Sequence, residues 1–395
     1  MISDPMVKNR GDARRIKVAY VLTPIEFGGA EKVNLTFLKN VNRSCFEIHV
    51  IVLVRPWEKC NLLKAALEDA GYNIHTIPVA KRPRDQGRDF LRILRCCKLI
   101  YWLLRQGNFD LIHTHGYFAD VISTPSAKLL GIPHLCTCHG FISDGRWLDL
   151  YNFMDSVALR FADRVIAVSS TLKGDLVKKG IRTGNIEVIR NAVEMVSSEA
   201  LKEVQGQRRD LLGIRSDEFV VGYVGRLSRE KGVRYLIEGS ALLYKKGENV
   251  RTVIIGDGPE KRNLEEQARS NGILNKVIFL GFEREPGKWL PTMDVFVLPS
   301  LTEGTPMALL EAMSCGLPVI ASAVGGIPEI VEPMRNGILI RAGQAAEIAN
   351  SLSNLQKDEA LRHRLGAEGR RTVEKRHNSK DWSIQIEKEY LKLVH

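Results

Sequence analysis

The chain contains no run of 18 uninterrupted apolar residues, so no segment reads as a membrane-spanning helix. Its first residues, MISDPMVKNRGDARR, are polar and charged where a secretion signal has an apolar core, and a cytosolic protein is the expectation. Cysteine is scarce: seven residues, an odd number without metal-type spacing, argue for a reducing compartment and against a disulfide framework. Cys136 and Cys138, one residue apart in an apolar run, are expected to pack rather than bind. Aromatic residues make up only 7% and do not alternate with basic ones, so the net charge of +11 does not point to nucleic acid. No Asp-x-Asp pair occurs, so a metal held on a phosphorylated substrate is not expected.

The 395 residues exceed one ordinary core and imply two domains, while 44% apolar and 26% charged residues suit a soluble globular protein. The charge is uneven. Residues 1–197 hold 28 Lys and Arg against 19 Asp and Glu, the remainder 29 against 27. A basic first half suits an anionic surface or substrate.

Short apolar runs alternate with amphipathic stretches throughout, the pattern of parallel α/β sheets. Strands are expected at Ile16–Leu22, Glu47–Val54, Ile74–Ile77, Asp110–His113, Ile132–Cys138 and Arg164–Ser169, with IEVIRNAVE (186–194) closing the first set. A second set comprises Phe219–Tyr223, Arg251–Gly258, Val277–Leu280, Asp294–Leu298, Val319–Ala323 and NGILI (336–340). Several strand ends carry chemistry. Gly28 and Gly29 follow the first strand and allow a ligand close to the backbone. His115 and His139 sit at strand tips, better placed for ligand contact than a core histidine, although residue type alone favours a structural role. Gly225, Arg226 and Lys231 in VGRLSREKG form a basic turn suited to a diphosphate, although a solvated turn reads the same way. Gly256 ends another strand, and Phe282 is placed either to stack on a ring or to pack in the core.

The stretch LPSLTEGTPMALLEAMSCGLPVIAS (298–322) reads as strand end, turn, helix and strand. Thr305 suits an N-cap and Pro306 position N1; Gly316 and Pro318 stop the helix. Glu303 lies on the turn and Glu311 inside the helix, flanking the backbone of Gly304, Thr305, Pro306 and Met307, whose N–H groups, absent only at Pro306, are free. A diphosphate on those amides, with a hydroxyl-rich group held at each end by an acid, describes a nucleotide-sugar.

This stretch, with GGAE (28–31), TCHG (137–140) and GRLSREKG (225–232), resembles the retaining glycosyltransferases of family 4, and the resemblance runs over most of the chain. It implies the GT-B fold: two doubly wound Rossmann-like domains facing a cleft, with a terminal helix crossing back. The expected bounds are 1–197 for the acceptor domain, 198–378 for the donor domain and 379–395 for that helix. It also implies transfer of a hexosyl group from a nucleotide diphosphate-sugar to a glycan or lipid-linked acceptor. Arg226 and Lys231 would bind the diphosphate, Glu303 and His139 the donor sugar, and Glu311 the ribose, with Phe282 near the base. Asn191, Ala192, Val193, Glu194 depart from the family's Asn, Gly, Val, Asp, which puts the linker conformation in question. A sugar-nucleotide epimerase of the same fold and a non-catalytic glycan-assembly subunit are the rival readings.

Residues 85–106, DQGRDFLRILRCCKLIYWLLRQ, read as a basic helix. Arg88, Arg92, Arg95, Lys98 and Arg105 fall on a stripe of about 140°, with Leu91 and Trp102 inside it. Phe90, Ile93, Cys97, Ile100 and Leu104 form the opposite, core-facing side. Such a stripe suits the inner face of a membrane at ~1 kcal/mol per cation, and equally an ordinary solvated helix.

Overall fold

The structure, a computed structural model, describes residues 14–23, 29–54, 62–79, 89–140, 146–196 and 208–395. Gly28 and Arg88 lie outside these residues. The first domain's strands are β1 (Ile16–Leu22), β2 (Phe46–Val54), β3 (Ile74–Pro78), β4 (Leu111–His115), β5 (His134–Cys138), β6 (Arg164–Ala167) and β7 (Ile186–Val188). They alternate with α1 (Gly29–Asn40), α2 (Leu62–Asp69), α3 (Asp89–Gly107), α4 (Tyr117–Leu130), α5 (Arg146–Phe161) and α6 (Ser170–Lys178). The second domain has β8 (Phe219–Val224), β9 (Val250–Ile255), β10 (Val277–Gly281), β11 (Val295–Leu298), β12 (Val319–Ser322) and β13 (Ile338–Ile340). Its helices are α7 (Val233–Lys245), α8 (Lys261–Ser270), α9 (Met307–Ser314), α10 (Ala345–Lys357) and α11 (Glu359–Arg376), and α12 (Ser379–Val394) ends the chain.

Every strand pairing is parallel, in the orders β3-β2-β1-β4-β5-β6-β7 and β10-β9-β8-β11-β12-β13. Helices on both faces explain the near-continuous apolar runs: β8, β11 and β12 are buried along their whole length. The two sheets are alike in detail. Asp110 and Asp294, each just before the strand beside its domain's first, accept from the backbone N–H of Lys17 and Val220 at 2.8 and 2.7 Å. In each sheet the order reverses beside the first strand, between β1 and β4 and between β8 and β11. Ligands of doubly wound sheets bind at the strand ends of such reversals. These two points carry His115 in the first domain and Arg226 and Glu303 in the second.

Helix α12 crosses back onto the first domain. Trp382 and Tyr390 set their rings edge-on to Phe37, and Tyr390 does the same to Phe46. Two expectations need correcting. Helix α9 begins at Met307 with Pro306 as its cap residue, and Thr305 does not cap it: the Thr305 hydroxyl donates to the Val168 carbonyl of the first domain at 2.6 Å. In α3 Cys96 is buried, while Arg92 turns inward to Tyr151 Oη (3.1 Å) and over the Phe118 ring. A neighbouring helix, α5, claims a side chain that helical spacing alone assigns to solvent. No helix among the described residues is long and apolar enough to cross a membrane.

Candidate active site

The loops that leave β8 and β11 meet. Leu301 N–H donates to the Glu230 carbonyl at 2.7 Å, which brings the basic turn against the acidic one. Lys231 Nζ then lies 2.7 Å from Glu303 Oε1, and the Ser300 hydroxyl donates to the same oxygen at 2.7 Å. The Glu303 side chain is only 7% exposed, so its charge depends on these partners. Tyr223 is held neutral: burial, then the charges of Glu303 and Glu230, raise its pKa well above 10, and its hydroxyl donates to the Arg226 carbonyl at 3.0 Å. Arg226 itself is exposed beside this turn. Gly256 supports it from below, since a β-carbon there would lie 1.9 Å from the Gly225 carbonyl oxygen.

The first domain closes the other side. A β-carbon on Gly304 would lie 2.6 Å from the His139 carbonyl oxygen, so the acidic loop and the tip of β5 touch backbone to backbone. Asn191 Nδ2 donates to the Thr305 carbonyl at 3.3 Å. Ala192 next to it is buried and is not among the residues with positive φ, so this linker has no need of the family's glycine. Glu329, in the turn before β13, reaches across to accept from the N–H groups of Ser170 and Thr171 at 3.1 and 3.0 Å and from Arg190 Nη2 at 2.8 Å. It thereby occupies the N-terminus of α6, where a carboxylate is favoured. The stretch GGIPEIV gives no sequence signal for that reach.

The histidines form a column. His139 Nε2 lies 3.4 Å from His115 Nδ1, the His115 and His113 rings are 4.2 Å apart, and His113 bonds Tyr390 Oη and Thr137 Oγ1 at 2.7 and 2.8 Å. Burial lowers the His139 pKa to about 4, and burial together with neighbouring histidines lowers those of His113 and His115. At neutral pH His139 is therefore an uncharged hydrogen-bonding group.

Burial also brings His134 to about 4 and lowers His377. Because the unfolded chain takes up protons on these groups below about 6.5 and the buried rings resist them, their stabilisation is complete above pH 6.5 and is lost as pH falls, down to about 4 for His134 and His139. Asp155, raised by burial to about 6, and Asp120, raised by burial and by Asp155, act in the opposite sense. Five histidines outweigh two acids, so denaturant unfolding should show lower stability at pH 5 than at pH 7. Equal stability at the two pH values would refute the neutral column.

Glu311 does not face solvent. Its Oε1 lies 2.6 Å from Lys32 Nζ, across the cleft from α1, and Gly29 at the start of α1 sits against Met307 at the start of α9. Lys32 follows the GGAE turn directly, and that position is the one hint the sequence offers of this contact. Phe282 is 52% exposed, which removes the core-packing alternative. The one group of side chains among the described residues with metal-like proximity is Asp120, His134 and Cys136, buried in the first domain. There the Thr114 hydroxyl sits among all three, 2.9 Å from His134 Nε2 and 3.3 Å from Cys136 Sγ while donating to Asp120, so the cluster reads as a hydrogen-bonded hub.

The family models described as Glycosyltransferase Family 4 and Glycosyl transferases group 1 match residues 27–196 and 205–372. EpsD of Bacillus subtilis strain 168, a glycosyltransferase by its name, is 30% identical over 311 residues, which cover 75% of this chain and 79% of EpsD. The chain belongs to glycosyltransferase family 4. This glycosyltransferase is also similar, at 26% identity over 356 residues (88% of this chain, 89% of the relative), to the Escherichia coli UDP-Gal:alpha-D-GlcNAc-diphosphoundecaprenol alpha-1,3-galactosyltransferase. In fold it matches Anabaena HepE, solved in complex with UDP, with a TM-score of 0.80, 23% identity and coverage of 96% of this chain and 100% of HepE. The GT-B fold is thus shared over 96% of this chain.

Proposed function

We infer that this glycosyltransferase moves a hexosyl group from a nucleotide diphosphate-sugar to a lipid-linked or growing glycan acceptor, with retention at the anomeric carbon and no divalent ion, in the assembly of a cell-surface polysaccharide or glycolipid. The observation that carries this reading is the basic and acidic turns joined through Lys231 and Glu303 at the second sheet's reversal, directly in front of the α9 N-terminus. The bond from the anomeric carbon to the diphosphate oxygen breaks and its electron pair stays on the diphosphate. Arg226, Lys231 and the backbone N–H groups of Gly304, Thr305 and Met307 stabilise that charge. The acceptor oxygen bonds to the same face of the sugar, and its proton passes to the leaving oxygen. Glu303 and neutral His139 orient the sugar, Glu311 anchors the ribose, and exposed Phe282 borders the base. The E. coli relative, whose name gives a UDP-sugar and a diphosphoundecaprenol acceptor, supports both substrate classes. A thermal-shift panel of UDP-, GDP- and ADP-sugars tests the donor: one nucleotide series should stabilise the protein. No shift with any of them would sink the reading, and conversion of a donor alone into a new sugar-nucleotide would favour the epimerase.

We further propose that α3 rests on an anionic membrane. A crossover helix runs antiparallel to its strands, so α3 starts on the edge where the cleft opens. Its outer side exposes Leu91, Leu94, Leu99 and Trp102 among Arg95, Lys98 and Arg105, with the Arg105 guanidinium over the Trp102 ring. Apolar anchors between cations suit lipid headgroups better than water. In vesicle flotation the protein should float with anionic but not neutral vesicles, less so in high salt or after Arg95, Lys98 and Arg105 are changed to Glu. A wild-type protein that stays unbound on anionic vesicles at low salt would leave α3 as scaffold.

A further inference from the structure

The cleft described above has a charge problem. Lys231 is already paired with Glu303, and Glu230 interacts with both Lys231 and Arg226, so the cations of the basic turn are offset by acids before any diphosphate arrives. Helix amides supply partial charge only. A nucleotide-sugar adds two negative charges, and a further full cation is needed nearby.

Lys32 meets that need. It stands on the first turn of α1, and its ammonium is 2.6 Å from Glu311 Oε1 with 25% of the lysine side chain and 18% of the glutamate side chain exposed. The two residues are 279 positions apart and belong to different domains, so the pair spans the cleft. Glu311 is one turn into α9 from Met307, a distance of about 6 Å along the axis. That is within the swing of a four-carbon lysine stem. The start of α1 already lies against the start of α9, because a β-carbon on Gly29 would be 3.4 Å from Met307 Cγ. Lys32 Nζ can therefore reach either the carboxylate or the space in front of the α9 amides without any movement of the backbone.

We propose that Lys32 is a third cation of the donor site, which exchanges Glu311 for the diphosphate when the donor's ribose takes that carboxylate. The ribose hydroxyls donate to the oxygen that Lys32 holds, and the displaced ammonium finds a doubly charged acceptor one helical turn away. The exchange gives the ammonium an anionic partner in both states, while Glu311 trades it for hydrogen bonds from the ribose. It makes ribose and diphosphate recognition interdependent: a ligand with a ribose alone expels Lys32 from Glu311 and gives it nothing in return. It also ties the first domain to the diphosphate. The proposal rests on the donor-site reading above, in which Glu311 binds ribose and the α9 amides bind phosphate.

Calorimetric titration of the full chain with UDP and with uridine tests it, in the wild type, Lys32→Met and Lys32→Arg. Should UDP not bind, the GDP–guanosine or ADP–adenosine pair that the wild type accepts is used. Lys32→Met should weaken the nucleoside diphosphate about tenfold or more, as the loss of one charge-assisted contact does. The same variant should bind the bare nucleoside as well as the wild type or tighter, because Glu311 is no longer occupied. Lys32→Arg should restore most of the diphosphate affinity. Opposite or divergent responses of the two ligands are the signature. If both affinities fall together in Lys32→Met, the lysine only supports the fold of the cleft; if both rise, it is only a competitor for Glu311. No change in either also overturns the proposal. A wild type that binds none of the three diphosphates would instead overturn the donor-site reading, and the Lys32 proposal with it.

Discussion

Alanine in place of Lys231 is expected to lower kcat/KM by roughly a hundredfold or more, the usual size of a lost charge at a developing anion. It also leaves Glu303, almost wholly buried, with the Ser300 hydroxyl and no ammonium. Breaking such a pair costs about 3 kcal/mol, the low end of the range, because the Lys231 side chain is 26% exposed. The two losses can be separated. Adding Glu303→Gln removes the stranded charge, so the double variant should regain most of the stability measured by denaturant unfolding while remaining inactive. A double variant that recovers both would show that Lys231 acts only by holding Glu303. Wild-type turnover in Lys231→Ala would remove it from the site.

The second large effect is expected at Gly304. A β-carbon there would sit 2.6 Å from the His139 carbonyl oxygen, with backbone on both sides of the contact and no flexible side chain to give way. Gly304→Ala must therefore move the tip of β5 away from the acidic loop, and that contact joins the two domains. A displacement near 1 Å at a reacting centre can cost about a hundredfold in kcat. Neither domain's core is touched, so the melting temperature should fall little. Gly287→Ala is the control, since a β-carbon there meets nothing within 4 Å. Loss of activity at Gly304 with an unchanged control is the expected pair of results. Full activity in Gly304→Ala would show that the domain contact does not position His139.

The strands were legible because buried parallel strands are written as short apolar runs, and β1 keeps the bounds its run implies. Helix starts were less so. Thr305 reads as an N-cap by residue type, yet its hydroxyl goes to Val168, a partner 137 positions away. The same limit applies to α3, where Arg92 lies on the basic stripe by helical angle but is drawn inward by Tyr151. Glu303 and Lys231 could be proposed together because both stand in recognisable turns. Lys32 and Glu329 could not, since each acts on a residue of the other domain and local pattern says nothing of which surfaces meet. Sequence periodicity records which side of an element is apolar, and cross-domain polar contacts leave almost no trace in it.

Among all these tests, one bears most directly on the claim that this cleft cleaves a nucleotide-sugar by electrostatic stabilisation with retained configuration. Slow hydrolysis of the accepted donor, followed by proton NMR in excess EDTA, reports the configuration of the sugar as it is released. The account predicts that the first-formed sugar keeps the donor's anomeric configuration and that the rate is unchanged by the chelator. Release of the opposite anomer, or a reaction abolished by EDTA and restored by magnesium or manganese, would contradict it.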